Sequence, residues 1–323
     1  MTATGSPAEQ GILSVPAFPL SLSNRRLDVE FAWECTGKID GPVVLAIGGI
    51  SAHRCVSGSD GGWWPNLVGP GRALDTEHFR VLGIDYLGGS ARSTGPRRGE
   101  DNFPSISAFD QVELIVRLLD HLGIKALHAL VGASYGGMVA LAFGERYPDR
   151  VERLLVLSAA DRAHPLSTAW RSIERQMVRF GIANGDALGG LKLARALAMT
   201  TYRTPKEFAA RFQGDARLDN GVWRLPVEDY VYARGDAYVA VHVPEAFVVL
   251  SESIDLHVVS ARNISVPVLA IAVRDDQLVP LADVQRLVGA LPNGRLDVLD
   301  SSYGHDAFLK ETTLFDASFA SFL

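Results

Sequence analysis

The sequence is poor in cysteine. It has two, Cys35 and Cys55, in 323 residues, with no CxxC pair and no zinc-like spacing. One bridge between them is the most that oxidation could form, and a reducing cytoplasm is the simpler setting. No excess of basic charge is present either: 31 Lys and Arg stand against 37 Asp and Glu, for a formal net charge of -6. That balance carries no polyanion-binding footprint, so nucleic acid is not an expected partner. No apolar run reaches the roughly 18–20 residues that span a bilayer, so no membrane association is expected. Residues 1–16 lack the basic segment and apolar core of a secretory signal. The eight histidines include no HExxH pair, so no metal is expected. Internal repeats and low-complexity tracts are missing too.

What is present is a hydrophobic fraction of 47%, enough for one large core with an inserted subdomain. Short, mostly apolar runs recur at Val43 to Ile47, Phe79 to Ile84, Leu127 to Val131, Val151 to Leu157, Val266 to Val273 and Arg295 to Leu299. Bounded by Gly, Pro or polar residues, they read as strands buried on both faces of a parallel sheet. Helical patterns lie between them, over 109–122, 134–147, 281–291 and 306–323, with Gly123 and Pro148 as terminators. The spacing predicts an α/β chain with a doubly wound, mostly parallel sheet. Between about Ala160 and Asn263 the alternation fails, and aromatic and apolar residues fall at helical spacing without a buried strand. We expect a helical lid at 160–263, a core at 16–159 and 264–323, and a loose lead-in at 1–15.

The segment Leu127–Met138 holds the most chemistry. It reads strand, then Gly132-Ala133-Ser134-Tyr135-Gly136, then helix. A serine at such a turn sits in strained backbone, and its neighbours at minus two and plus two must be small because strand and helix pass close together. The helix N-terminus behind it favours developing negative charge. This is the nucleophile elbow of the α/β-hydrolase fold, and Ser134 is the expected nucleophile. Chain order in this fold is serine, then acid, then histidine. His305, in Ser-Ser-Tyr-Gly-His305-Asp306-Ala-Phe after the last strand, is the expected base. Asp276 is the expected acid, with the adjacent Asp275 as the alternative. The oxyanion hole needs two backbone N–H groups, assigned to Tyr135 and to Ile50 in Gly48-Gly49-Ile50-Ser51.

Longer stretches carry a resemblance. Gly-Gly-Trp63-Trp64, Gly69-Pro70-Gly71, Asp75-Thr76, Leu87-Gly88-Gly89 and Ser93-Thr94-Gly95-Pro96 are similar to the homoserine O-acyltransferase family, as are Thr201-Tyr202-Arg203 and Gly304 to Leu309. The resemblance covers most of residues 43–310. It implies that Ser134 takes an acyl group from acyl-CoA and that the hydroxyl of L-homoserine then attacks the acyl-enzyme, a step of methionine synthesis. It implies a homodimer, and acyl-CoA as a co-substrate rather than a permanently bound cofactor. Arg203 is carried over as the anchor for the homoserine carboxylate and Asp306 for its ammonium. The loop Gly48 to Arg54 departs from the family's usual histidine-alanine-leucine-threonine start, and the gap before the Trp pair is shorter. In this it resembles the succinyltransferase members, and Arg54 is the expected partner of the far carboxylate of a succinyl group. Acetyl-CoA as donor, L-serine as acceptor and simple carboxylester hydrolysis are the rival activities. A non-catalytic binder is disfavoured by the complete set of Ser134, Asp276 and His305.

Overall fold

The computed structural model describes residues 8–58, 61–100 and 102–323. Its centre is an eight-stranded sheet built from β1 (Glu9–Pro19), β2 (Arg26–Gly37), β3 (Val43–Ile47), β4 (Arg80–Ile84), β5 (Ala129–Ala133), β6 (Leu154–Leu157), β7 (Val268–Val273) and β8 (Gly294–Leu299). Their spatial order is β1-β2-β4-β3-β5-β6-β7-β8. β2 runs antiparallel to both β1 and β4, and the other neighbours are parallel. β5, β6 and β7 are buried along their whole length, which is why they read as unbroken apolar runs.

Helices α1 (Ala108–His121) and α2 (Tyr135–Arg146) pack against the sheet. Ser107 and Asp110 cap the first turn of α1 reciprocally, and Val112, Ile115, Val116 and Leu119 form its buried stripe. The sheet is interrupted between β6 and β7 by five helices: α3 (Pro165–Ala183), α4 (Ala187–Thr201), α5 (Pro205–Arg211), α6 (Pro226–Val239) and α7 (Pro244–Asp255). An exposed two-stranded ribbon, Arg217–Asp219 with Val222–Arg224, joins α5 to α6. Helix α8 (Leu281–Ala290) returns the chain to the core, and two short helices, α9 (Ala307–Lys310) and α10 (Asp316–Ala320), end it. No single helix among the described residues is long and apolar enough to cross a membrane.

Two expectations need correction. Residues 1–7 of the expected lead-in lie outside the described residues, but residues 9–15 belong to β1, paired residue for residue with β2 from Glu9–Cys35 to Val15–Val29. An edge strand turns only one face inward, here Leu13, Val15 and Phe18, so its composition stays polar enough to pass for a loop. The expected helix 306–323 is broken instead. The backbone leaves helical geometry at Glu311 (φ -121°, ψ 53°), whose carboxylate accepts the Ser301 hydroxyl, and Phe308, Phe315 and Phe319 each turn into the core.

Candidate active site

The turn from β5 into α2 holds Ser134 at φ 54° and ψ -120°, a region that non-glycine residues avoid. Its flanking glycines are required by space. A Cβ on Gly132 would lie 2.2 Å from the Gly136 carbonyl oxygen, and one on Gly136 would lie 2.3 Å from that of Ile47. The strain lifts Oγ off the end of the sheet, toward the loops that follow β3, β7 and β8.

His305 stands on the loop after β8, at the residue after Gly304, which has φ 53°. Its Nε2 lies 2.8 Å from Ser134 Oγ and its Nδ1 lies 2.7 Å from Asp276 Oδ2. The other oxygen of Asp276 accepts the N–H groups of Leu278 and Val279 at 2.9 and 3.0 Å, so both carboxylate oxygens are oriented. Asp275, the alternative acid, points to solvent. Burial pulls the His305 pKa down, but the charge and hydrogen bond of Asp276, with the charge of Asp306, raise it above the ordinary value of 6.5. Trp64 braces the loop from below: its indole N–H donates to the Phe308 carbonyl at 2.7 Å.

The Gly48–Ile50 loop lies against the serine, with the Cβ direction of Gly49 ending 4.0 Å from Ser134 Oγ. Gly48 is pinned by two bonds to its carbonyl oxygen, from Gly136 N–H at 2.9 Å and from the buried Tyr86 hydroxyl at 2.6 Å. Ile50 and Tyr135 both line the cavity above Ser134. Neither of their N–H groups donates to a protein acceptor among the described residues. For Tyr135 this follows from its place in the first turn of α2.

The cavity measures about 290 Å³ and is roofed by α3, α4 and α7. Three sequence-predicted residues meet different fates there. Asp306 lines it. Arg54 does not. Its guanidinium donates to Asp85 at 2.8 Å, its N–H donates to the same carboxylate at 2.7 Å, and Asp85 is wholly buried. Arg54 is committed to a charge that would otherwise be unpaired, which corrects its expected role at a succinyl group. Arg203 is also outside the cavity lining. It bonds Glu207 at 2.7 Å, reaches Asp306 at 3.5 Å, and stacks on Tyr230 and Tyr303. It holds Asp306 from behind instead of reaching toward a substrate.

The cavity contains cations and a carboxyl that the motifs did not reveal. Arg195 of α4 lies over the rings of Tyr202 (5.0 Å) and Tyr238 (4.6 Å) and donates to the Tyr202 hydroxyl at 3.0 Å. No carboxylate lies within ion-pair distance of it among the described residues. Arg195 precedes Tyr202 by seven residues, two helical turns, and so shares its face; that spacing was the available signal. Arg171 and Glu174 of α3 line the same space. Glu174 is 4% exposed, and burial, opposed by Arg171, Arg195 and Arg175, pushes its carboxyl up to about 7.

Comparison with known proteins fits this geometry. The family model described as the alpha/beta hydrolase fold matches residues 42–312. The chain is 43% identical over 316 residues to a homoserine O-succinyltransferase of Xanthomonas campestris pv. campestris, covering 96% of this chain and 83% of that one. It is 35% identical over 285 residues to a homoserine O-acetyltransferase of Thermus thermophilus, covering 81% and 72%. Its shape is similar to a homoserine O-acetyltransferase from Bacillus anthracis (TM-score 0.90, 19% identity, 98% of each chain). It is also similar to esterase E22 (TM-score 0.88, 21% identity, 98% of this chain and 100% of that one), and at these identities the two structures speak for the fold alone. The chain belongs to the α/β-hydrolase fold family and, within it, to the homoserine O-acyltransferases.

Proposed function

We propose that the protein transfers a succinyl group from succinyl-CoA to the hydroxyl of L-homoserine through an acyl-enzyme on Ser134. The observation that carries the reading is the pair of unlike charges in a roofed cavity beside the nucleophile. Arg195 offers a guanidinium without an ion-pair partner among the described residues, and Asp306 offers a carboxylate held in place by Arg203. Together they match an α-carboxylate and an α-ammonium, the two charges of an amino-acid acceptor. A simple ester needs neither.

Ser134 Oγ attacks the thioester carbonyl while His305 Nε2 takes its proton. The N–H groups of Ile50 and Tyr135 meet the negative charge that develops on the carbonyl oxygen. The carbon–sulfur bond breaks, and the CoA sulfur leaves with the proton from His305. The homoserine hydroxyl then attacks the acyl-enzyme, gives its proton to His305, and Ser134 regains one as the ester product leaves. Asp276 holds the imidazole in the needed tautomer and stabilises the imidazolium without taking the proton. The lid keeps water from the acyl-enzyme. Acyl-CoA enters as a co-substrate and CoA leaves, with no permanently bound cofactor required.

The succinyl donor is favoured by the relative at 43% identity, and the acetyl donor by the one at 35%. A thiol-release assay crossing succinyl- and acetyl-CoA with homoserine and serine separates them. Release that does not depend on any amino acid would establish a hydrolase instead. We also place the protein in the cytoplasm as a homodimer. Its two cysteines are free thiols, and the lid exposes Phe180, Trp223 and Val241. Light scattering that returns a monomer mass would refute the dimer.

A further inference from the structure

We propose that Arg171 is the anchor for the free carboxylate of the succinyl donor. The proposal rests on the donor reading above and deepens it.

Two carboxylates must be accommodated in that reading, one from each substrate, and Arg54 is not available for either. Three arginines line the cavity: Arg162, Arg171 and Arg195. The side chain of Arg162 is 58% exposed and is engaged by Asp161 at 3.1 Å, so it belongs to the rim. Arg195 is paired in function with Asp306. Arg171 remains, with a side chain only 12% exposed.

Its surroundings fit the task. Nε and Nη2 both donate to Asp255 Oδ1, at 2.9 and 2.6 Å. Asp255 is fixed in turn by the Thr168 hydroxyl at 2.8 Å and by Arg175 at 2.6 Å. One edge of the Arg171 guanidinium is therefore held rigid. Its Nη1 donates to no protein acceptor among the described residues, and the residue lines the cavity. A guanidinium oriented on one edge and free on the other loses little side-chain freedom when it takes a carboxylate.

Charge points the same way. Arg171 and Arg175 share the single carboxylate of Asp255, which leaves one positive charge in excess. Glu174 lies one turn along α3, but burial disfavours its ionised form, so it does not fully cancel that excess. A substrate carboxylate supplies the missing partner. Arg171, Ser134 and His305 line one cavity, so an acyl chain on Ser134 and the guanidinium share the same space.

The test compares succinyl-CoA with butyryl-CoA, which has the same chain length and no terminal charge, at saturating homoserine. In Arg171→Leu, kcat/KM for succinyl-CoA should fall about 10²-fold, the usual consequence of truncating one partner of a desolvated charge pair. Butyryl-CoA should stay within about threefold, and the KM for homoserine should not move. Arg171→Gln, which keeps a hydrogen bond to Asp255, should show the same selectivity loss and covers the case in which the leucine variant folds poorly. Equal loss with both donors, or a rise in homoserine KM instead, would overturn Arg171 while leaving the donor reading intact. A wild-type enzyme that uses acetyl-CoA and ignores succinyl-CoA would overturn the donor reading, and the anchor with it.

Discussion

Replacing Glu174 with glutamine should make the protein more stable at alkaline pH and leave it unchanged in acid. The Glu174 carboxyl is raised from 4.5 to about 7 by burial, and the arginines that face it offset only part of that cost. Those groups are Arg171 and Arg175 on its own helix and Arg195 on α4, with Asp255 on α7 opposing them. A group raised in the folded state contributes stability that is fully present below pH 4.5 and is lost as the pH rises through about 7. The difference between the two values corresponds to at most about 3 kcal/mol. Glutamine has the same shape and never ionises, so it removes the loss. With an unfolding entropy of roughly 2.1 cal/mol/K per residue, 323 residues convert 3 kcal/mol to about 4 °C in Tm. Scanning fluorimetry of both proteins at pH 5, 6, 7 and 8 reads the gap directly, because every other titrating group is common to the two. The gap should be about 1 °C at pH 5, where loss has only begun, and open to about 4 °C at pH 8. A gap that stays constant across this range would show that Glu174 is not a desolvated acid, and the charge argument for Arg171 would lose one of its supports.

Other consequences follow from the same geometry. The acid limb of the pH dependence of kcat/KM should lie above 6.5, because His305 must be neutral to act as a base and Asp276 raises its pKa. Asp276→Asn should move that limb to lower pH and reduce kcat by about 10³–10⁴-fold; a limb that stays in place would remove Asp276 from the role. Arg195→Ala should raise the homoserine KM about 10²-fold with little change in Tm, whereas Arg203→Ala, which strips a buried pair, should cost about 3–5 kcal/mol of stability. Thermal melts beside steady-state kinetics separate the two, and the reverse pattern would restore Arg203 as the substrate anchor. Gly136→Ala should cost about 1–3 kcal/mol, since its methyl group would meet backbone rather than a mobile side chain; an unchanged Tm would refute the close packing of the elbow.

The chemistry was easier to read from the sequence than its specificity, for a physical reason. β5, β6 and β7 are buried on both faces, so their apolar runs stand out without any knowledge of neighbours. The elbow is equally local: the strain at Ser134 is written into glycines two residues to either side. Asp276 and His305 follow from chain order once the serine is placed. Arg54 could not be read in this way, because its partner Asp85 is 31 residues away and reaches it only through the pairing of β3 with β4. Arg203 was carried over with the segment Thr201-Tyr202-Arg203, yet α4 ends at Thr201, and Tyr202 lines the cavity while Arg203 pairs with Glu207 and Asp306 outside its lining. β1 and β2 were missed for a related reason, since a strand with one wet face carries only half the apolar signal.

The cavity also sets an expectation for acceptor choice. Ser134, His305 and Asp276 serve a hydrolase as well as a transferase, so discrimination must come from groups that fix the acceptor at a distance from the reacting atoms. Arg195 and Asp306 do so by holding the carboxylate and the ammonium together. The α-carbon is then fixed, and the reach from it to the acyl-enzyme is set by the side chain alone. Serine is one methylene shorter than homoserine, so its hydroxyl falls short of the carbonyl unless one of the two charged contacts is stretched. One methylene is ordinarily worth about 1–3 kcal/mol, or 10–200-fold in kcat/KM. Homoserine should be preferred by that factor, and the preference should shrink in Arg195→Ala, where the acceptor is no longer fixed at both ends. Turnover of serine within about threefold of homoserine by the wild-type enzyme would show that the two charges do not grip the acceptor together.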